Sequence, residues 1–312
     1  MEFRQLKYLV GIVEAGSLSR AAQLLHIAQP ALSTQLARLE DELGTRLLIR
    51  SVRGVTPTEA GIAVYEHAKQ LLRQVDATKA IAMQGEQGPT GNVAVGLPWT
   101  IASVIGLQLL KHVHDHLPLV KLEITEGPSA NLAHLLAQGR LDTAVLFDGP
   151  GDSGLAMEAV VQEPLLLVGA AGSLDDRESY ELEDIAQLRL LLLSRPNGIR
   201  EVLQTLWNEK GITPKIVAEI NSPSLLIDAV HSGLGYAILP ACAMEDRLRS
   251  GDLDARPIAS ERFTRTVHIA TSRVFAPTPA AEHVYGLLAL YLRKAIEQGH
   301  WNARWIAAQG AL

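Results

Sequence analysis

The feature that most constrains this chain is a run of three short apolar-periodic segments within its first 57 residues, followed at once by a short alternating one. Leu6, Leu9, Val10 and Val13 recur at helical spacing, which predicts an amphipathic first helix that Gly16 stops. Ser17 is placed to N-cap a second helix over Leu18 to Leu25, with Ala21 and Ala22 small enough for a close helix contact. His26, Ile27 and Ala28 form a turn. A third helix is predicted from Gln29 to about Leu39, with Leu32, Leu36 and Leu39 facing inward and Pro30 tolerated in its first turn. Two short helices joined by a tight turn across small residues form the helix-turn-helix pattern.

With the leucines facing inward, Gln29, Ser33, Thr34 and Arg38 fall on the outer face of the third helix, and Pro30 lies at its start. These polar types donate and accept hydrogen bonds to base edges and phosphates in a major groove. A solvated polar face is the plainer account of any single helix. What tips the balance is the next segment. Leu47 to Arg50, the turn Ser51-Val52-Arg53-Gly54, and then Val55-Thr56 read as a hairpin with a basic tip, a wing that places Arg53 against a DNA backbone or minor groove.

Charge agrees with that reading. The whole chain carries −6, but residues 1–57 hold seven Lys/Arg against five Asp/Glu, leaving +2 there and −8 in the remainder. A basic head on an acidic body suits local phosphate contacts without general polyanion binding. Cys242 is the single cysteine, so no internal disulfide forms, which fits a reducing cytoplasm. The first residues lack a basic segment leading into an apolar one, so no signal peptide is expected. No apolar run reaches the length of a membrane span, so no membrane partner is expected either.

Thr56-Pro57-Thr58-Glu59 reads as a capping box opening a long helix to about Gln84. Val64, Ala68, Leu71, Val75, Thr78 and Ala82 step by four and three, a heptad-like seam. Such a seam packs either on the chain's own head or on a second copy. A long helix beside a small domain has little of its own to pack on, which favours the second copy. Gly85 to Gly91 then reads as a hinge.

From Asn92 onward strands and helices alternate. Val93–Gly96, Val120–Thr125 and Thr143–Phe147 read as strands, separated by helices over Ile101–His116 and Asn131–Gln138. A second set begins near Pro164 and includes Leu190–Leu193, Ile216–Ile220 and Ala237–Leu239. A late strand, Thr266–Thr271, and a helix, Ala280–Ile296, follow. Repeated strand–helix units predict an α/β class with parallel sheets. Four helix starts carry polar residues: Thr100, Ser129, Arg195 with Asn197, and Ser222. Taken singly, each reads first as an ordinary cap and second as a ligand contact at a partly positive helix terminus.

Other motifs carry less. His231-Ser232-Gly233-Leu234-Gly235 lacks the third glycine and the opening strand of a dinucleotide loop. His112 and His116 are four apart, but histidines ending a helix are stabilised by its dipole, and no metal site is assigned. The sequence has no nucleophile elbow, zinc-protease helix or phosphate loop, so neither catalysis nor a cofactor is expected.

The stretch SLSRAAQLLHIAQPALSTQLARLEDELGTRLLIRSVRGVTPTEAG resembles the LysR-type transcriptional regulators, and HIAQPALS and RGVTPTEAG are further similar to the nitrogen-assimilation-control (Nac) branch. The chain departs from the wider family at Ala28, where most members carry Ser as the cap of the recognition helix. The resemblance implies an all-α winged helix-turn-helix over 1–58, a linker dimerisation helix and hinge over 59–88, and a two-lobed α/β effector domain over 89–312, like a type 2 periplasmic binding protein. It implies that Gln29, Pro30, Ser33, Thr34, Arg38 and Arg53 contact double-stranded DNA at a dyad-symmetric promoter site. The four helix starts, with Thr100, Ser129, Arg195, Asn197 and Ser222, would converge on one interlobe cleft that takes a small, anionic effector. Self-association into dimers and tetramers and contact with RNA polymerase are also implied. The regulator would be either ligand-responsive or active without a ligand. The competing reading is a cytosolic small-molecule binder or enzyme whose N-terminal helices only mediate assembly. A basic wing after a base-reading helix argues against it, because an assembly module has no need of one.

Overall fold

The computed structural model of the chain describes residues 1–51, 54–82, 88–147, 154–195, 197–260 and 262–307. The chain forms two compact units, Met1–Gln87 and Gly88–Leu312, called here the head and the body.

In the head, α1 (Phe3–Ala15) opens with a capping box between Glu2 and Gln5 and ends at Gly16, whose φ of 63° is the left-handed turn that glycine accommodates most easily. Ser17 caps α2 (Leu18–Leu24) by accepting from the Arg20 backbone N–H, as the sequence predicts. The third helix, α3 (Gln29–Leu43), runs four residues beyond the predicted end and stops at Gly44. The Glu40 carboxylate on that added turn accepts from the backbone N–H groups of Leu47 and Leu48, at 2.8 and 3.2 Å, and so ties the helix to the strand that follows. Leu9, Ile12, Ala21, Ala22, Leu32, Leu36 and Leu39 form the core between the three helices.

The hairpin pairs β1 (Leu48–Ser51) with β2 (Gly54–Pro57) antiparallel. It is followed by the long α4 (Glu59–Ala82). The cap of α4 is Thr58 rather than Thr56, because Pro57 is the last residue of β2. Thr58 Oγ1 accepts from Gly61 N–H at 2.9 Å and donates to the Arg46 carbonyl at 2.8 Å. That close approach requires a glycine: a Cβ on Gly61 would lie 1.9 Å from the Leu47 carbonyl oxygen. The first half of the α4 seam packs on its own head, with Ala68 fully buried and Val64 against the core, so there the seam takes the first of the two alternatives that its spacing leaves open.

The body begins with β3 (Gly91–Leu97), and its first helix has three stretches: α5 (Trp99–Ile101), a π-helical turn Ala102–Gly106, and α6 (Leu107–His116). Then come β4 (Val120–Glu126), α7 (Ser129–Ala137), β5 (Thr143–Phe147) and β6 (Leu155–Pro164). The chain next builds a second lobe from β7 (Leu166–Ala170), α8 (Leu182–Gln187), β8 (Leu190–Leu193), α9 (Gly198–Lys210), β9 (Ile216–Ile220), α10 (Pro223–His231), β10 (Ala237–Leu239), α11 (Glu245–Ser250) and β11 (Leu253–Pro257). It returns through β12 (Thr264–Ser272), α12 (Pro279–Glu297) and β13 (Arg304–Trp305).

The first lobe is a six-stranded sheet in the order β13-β6-β12-β5-β3-β4. In the second, β7 lies between β10 and β11, β8 pairs with β9, and a Leu190–Tyr236 bridge links the two groups. The two lobes match the expectation. The wholly parallel sheets do not. β3 with β4 and β5, and β8 with β9, are parallel, whereas β12 runs antiparallel to both β5 and β6, and β7 to both neighbours. The cause lies in the crossings. β6 leaves the first lobe and β12 re-enters it, so the two run side by side in opposite directions.

Candidate functional site

The head presents its polar residues outward. Gln29, Pro30, Thr34 and Arg38 are exposed on α3 and Ser33 is partly so. Two of these side chains are already oriented. Thr34 Oγ1 donates to the Pro30 carbonyl at 2.9 Å, leaving its methyl free. Ser19 Oγ on α2 donates to Gln29 Oε1 at 2.9 Å. That contact holds the Gln29 amide with its oxygen toward α2 and its NH₂ free to donate. Ser19 was not read as a site residue, and its signal was visible: a hydroxyl at the second position of α2, across the turn from the start of α3. Ala28 makes no side-chain cap, so the first N–H groups of α3 have no side-chain partner there. His26 holds the turn between the helices at φ 53°, a left-handed conformation costly for a side chain with a Cβ. Arg53 lies outside the described residues.

In the body, a cleft of about 360 Å³ opens between the lobes. Trp99, Phe147, Leu165, Leu193, Val202 and Pro240 give it apolar walls, and the starts of α5, α7 and α9 border it. Of the residues predicted to meet there, Thr100, Ser129 and Asn197 do so. Thr100 is fully buried, so it forms the floor beneath the lining. Ser129 Oγ accepts from the Phe147 N–H at 3.0 Å, joining the start of α7 to the end of β5, and keeps its own hydrogen to give. Asn197 Oδ1 caps α9 by accepting from Arg200 N–H at 3.3 Å, which leaves its NH₂ free.

Arg195 and Ser222 are not brought to the cleft lining. Arg195 is exposed and donates to Gln204 Oε1 at 2.7 Å along the outside of α9. Ser222 caps α10, its hydroxyl accepting from Leu225 N–H at 3.4 Å.

The cation of the cleft is instead Arg265, at the start of β12. Only 6% exposed, it pairs through Nε with the buried Glu163 of β6, donates through Nη2 to Thr100 Oγ1 at 3.0 Å, and lies 3.5 Å over the Phe147 ring. Trp301 Nε1 donates to the other oxygen of Glu163 at 2.8 Å, and the Cys242 thiol does so at 3.5 Å. Burial and the Glu163 charge push the Cys242 thiol well up, so it stays protonated and serves as a donor rather than a nucleophile. Arg265 shares the inward face of β12 with Val267 and Ile269. An arginine at an inward position of an alternating strand needs a buried partner, and that was the signal in the sequence.

The histidines of α6 take structural roles. The His112 and His116 rings stack at 4.4 Å, His116 Nδ1 donates to the His112 carbonyl at 3.1 Å, and His112 Nδ1 meets the Tyr291 hydroxyl at 2.9 Å. Burial and then the neighbouring His116 hold the His112 pKa down. No cluster of three or more metal-binding side chains occurs among the described residues. On the head, an apolar groove of about 290 Å³ is lined by Met1, Leu6, Leu43, Val64, Ala68 and Leu71. No helix among the described residues is long and apolar enough to cross a membrane.

Comparison with known proteins bears on both sites. Residues 3–62 match the family described as bacterial regulatory helix-turn-helix protein, lysR family, and residues 86–292 match the LysR substrate binding domain. The chain is 40% identical over 244 residues to the nitrogen assimilation regulatory protein Nac of Escherichia coli K12, covering 78% of this chain and 79% of that protein. It is 36% identical over 299 residues to Nac of Klebsiella aerogenes, covering 95% and 97%. Among solved structures, a cysteine-to-aspartate variant of full-length OxyR from Pseudomonas aeruginosa is similar with a TM-score of 0.72 at 25% identity, over 94% of this chain and 95% of that one.

Proposed function

The chain belongs to the LysR family of DNA-binding transcriptional regulators with an effector-binding domain, and from that membership we propose how its parts divide the work. Residues 1–58 read double-stranded DNA at a dyad-symmetric promoter site. Gln29, Ser33 and Thr34 face base edges, Pro30 and Arg38 flank them, and Arg53 holds the backbone on the wing side. The observation that carries this is the outward polar face of α3, with the Gln29 amide already oriented by Ser19. Residues 59–88 join two copies, and residues 89–312 bind a small carboxylate between the lobes. Like its relatives, the chain is a regulator and not an enzyme. It works in the cytoplasm, as dimers that pair into tetramers and contact RNA polymerase.

Dimerisation rests on the apolar groove along α4. A charge at Leu71 would be desolvated without a partner in a dimer. Leu71→Glu is therefore expected to give monomers in light scattering at micromolar concentration, where the unaltered protein gives dimers or larger. A monomeric unaltered protein contradicts this assembly. DNA reading is tested by mobility-shift titration of promoter fragments against scrambled duplexes at several salt concentrations. A promoter preference that persists as salt rises is the expected result, and equal binding to all duplexes overturns the reading.

A further inference from the structure

The cleft lining contains two charged side chains among the described residues, Arg265 and Glu201. They differ in a way that bears on the occupant. Arg265 is held by the buried Glu163, so its charge is cancelled in place and none is left over for a ligand anion. Glu201 stands exposed in the first turn of α9, and no cation pairs with it among the described residues. The lining with its buried support thus carries one positive and two negative charges, a poor match for a simple anion.

Donors for a carboxylate are nonetheless present. The start of α7 has no side-chain cap, Ser129 has a hydrogen to give, and Asn197 presents its NH₂ beside the first N–H groups of α9. Asn197, the cap of α9, and Glu201, in its first turn, both line the cleft. Donors and an acceptor anion therefore stand side by side, beneath the apolar walls of Trp99, Phe147, Leu165, Leu193, Val202 and Pro240.

We infer that the cleft takes a zwitterion, an α-amino acid with an apolar side chain. Its carboxylate lies at the starts of α7 and α9, its ammonium on Glu201, and its side chain against the apolar walls. This rests on the cleft being the effector site and goes further by naming the chemical class.

The test uses the full-length protein and calorimetry. The probes are L-leucine, L-methionine and L-phenylalanine, each beside the same molecule without its amine: 4-methylpentanoate, 4-(methylthio)butanoate and 3-phenylpropanoate. At least one amino acid is expected to bind about tenfold or more tightly than its amine-free partner, the effect of one charge-assisted hydrogen bond. Glu201→Gln, an exposed and shape-conserving change, is expected to remove that preference by weakening the amino acid and not the amine-free acid. Ser129→Ala is expected to weaken both. If the amine-free acids bind as well as the amino acids, or Glu201→Gln changes nothing, the zwitterion assignment falls and the effector cleft stands. If none of the six probes binds, the zwitterion assignment also falls. The cleft reading then falls too only if a wider panel of anionic and neutral metabolites fails to bind.

Discussion

In the head, the polar side chains of interest stand on the outside of one helix; in the body, they are sunk in a network that joins distant strands. Gln29, Thr34 and Arg38 come from ten consecutive residues and face solvent. Arg265, Glu163, Thr100 and Trp301 come from four separate stretches of the body and are all nearly buried. An outward face keeps its groups hydrated until DNA displaces the water. A buried network must satisfy itself first and leaves few groups free for a ligand. Under the proposed function, the head reads DNA through groups that stand free, and the body recognises its effector through the few groups its own network leaves over.

The largest test of this contrast breaks the buried pair. Arg265→Met leaves Glu163 desolvated and unpaired, and removing one partner of such a pair typically costs about 3–5 kcal/mol. All four tryptophans, Trp99, Trp207, Trp301 and Trp305, lie in the body, so selectively excited tryptophan fluorescence reports its unfolding alone. The denaturation midpoint of that signal is expected to fall sharply, and pairing the change with Glu163→Leu is expected to restore much of it. An unmoved midpoint in Arg265→Met contradicts a body organised around this pair.

A second change strikes the head alone. Gly61→Ala would drive a Cβ into the Leu47 carbonyl, where the wing meets α4. Overpacking of this kind costs about 1–3 kcal/mol. DNA affinity is expected to drop while the tryptophan midpoint stays in place. If both move together, the two units are not energetically separate.

These two sites also mark what the sequence could and could not reveal. The head was legible almost to the residue, because its helices, caps and turn follow one another along the chain and depend on neighbours three or four positions away. The misses there were local: the extra turn of α3, and a cap at Thr58 where Thr56 also fitted the pattern. In the body, strands buried on both faces carry continuous apolar runs and were found, but β6, β11 and β13 were not. Leu155 to Pro164 mixes glutamates and glutamine with its valines, since only part of each face is covered. The starts of α5, α7 and α9 were read because caps are local. That Arg265 takes the interior place depends on its pairings with Glu163 and Thr100, 102 and 165 positions away in the chain. No spacing rule carries that information.

The smallest change sharpens the comparison without breaking anything. Ala28→Ser supplies the side-chain cap that α3 lacks, worth about 1 kcal/mol. The melting of the head, followed by helical circular dichroism, is expected to rise by a few degrees. The body's fluorescence transition should not shift. A drop in head stability would mean that Ala28 is held in a conformation that excludes a cap.

The central claim, that α3 reads bases while the wing grips the backbone, is tested most directly by measuring sequence preference and salt dependence together. Binding of the full-length protein, Gln29→Ala and Arg53→Ala is titrated against a set of duplexes carrying every single substitution of a bound promoter site, each at several salt concentrations. Gln29→Ala is expected to lose about 1–3 kcal/mol of discrimination at one base pair per half-site, with an unchanged salt slope. Arg53→Ala is expected to bind all duplexes more weakly, with the slope reduced by about one and the preferences intact. If Gln29→Ala keeps the full discrimination of the unaltered protein at every position, the outer face of α3 is not the surface that reads the sequence.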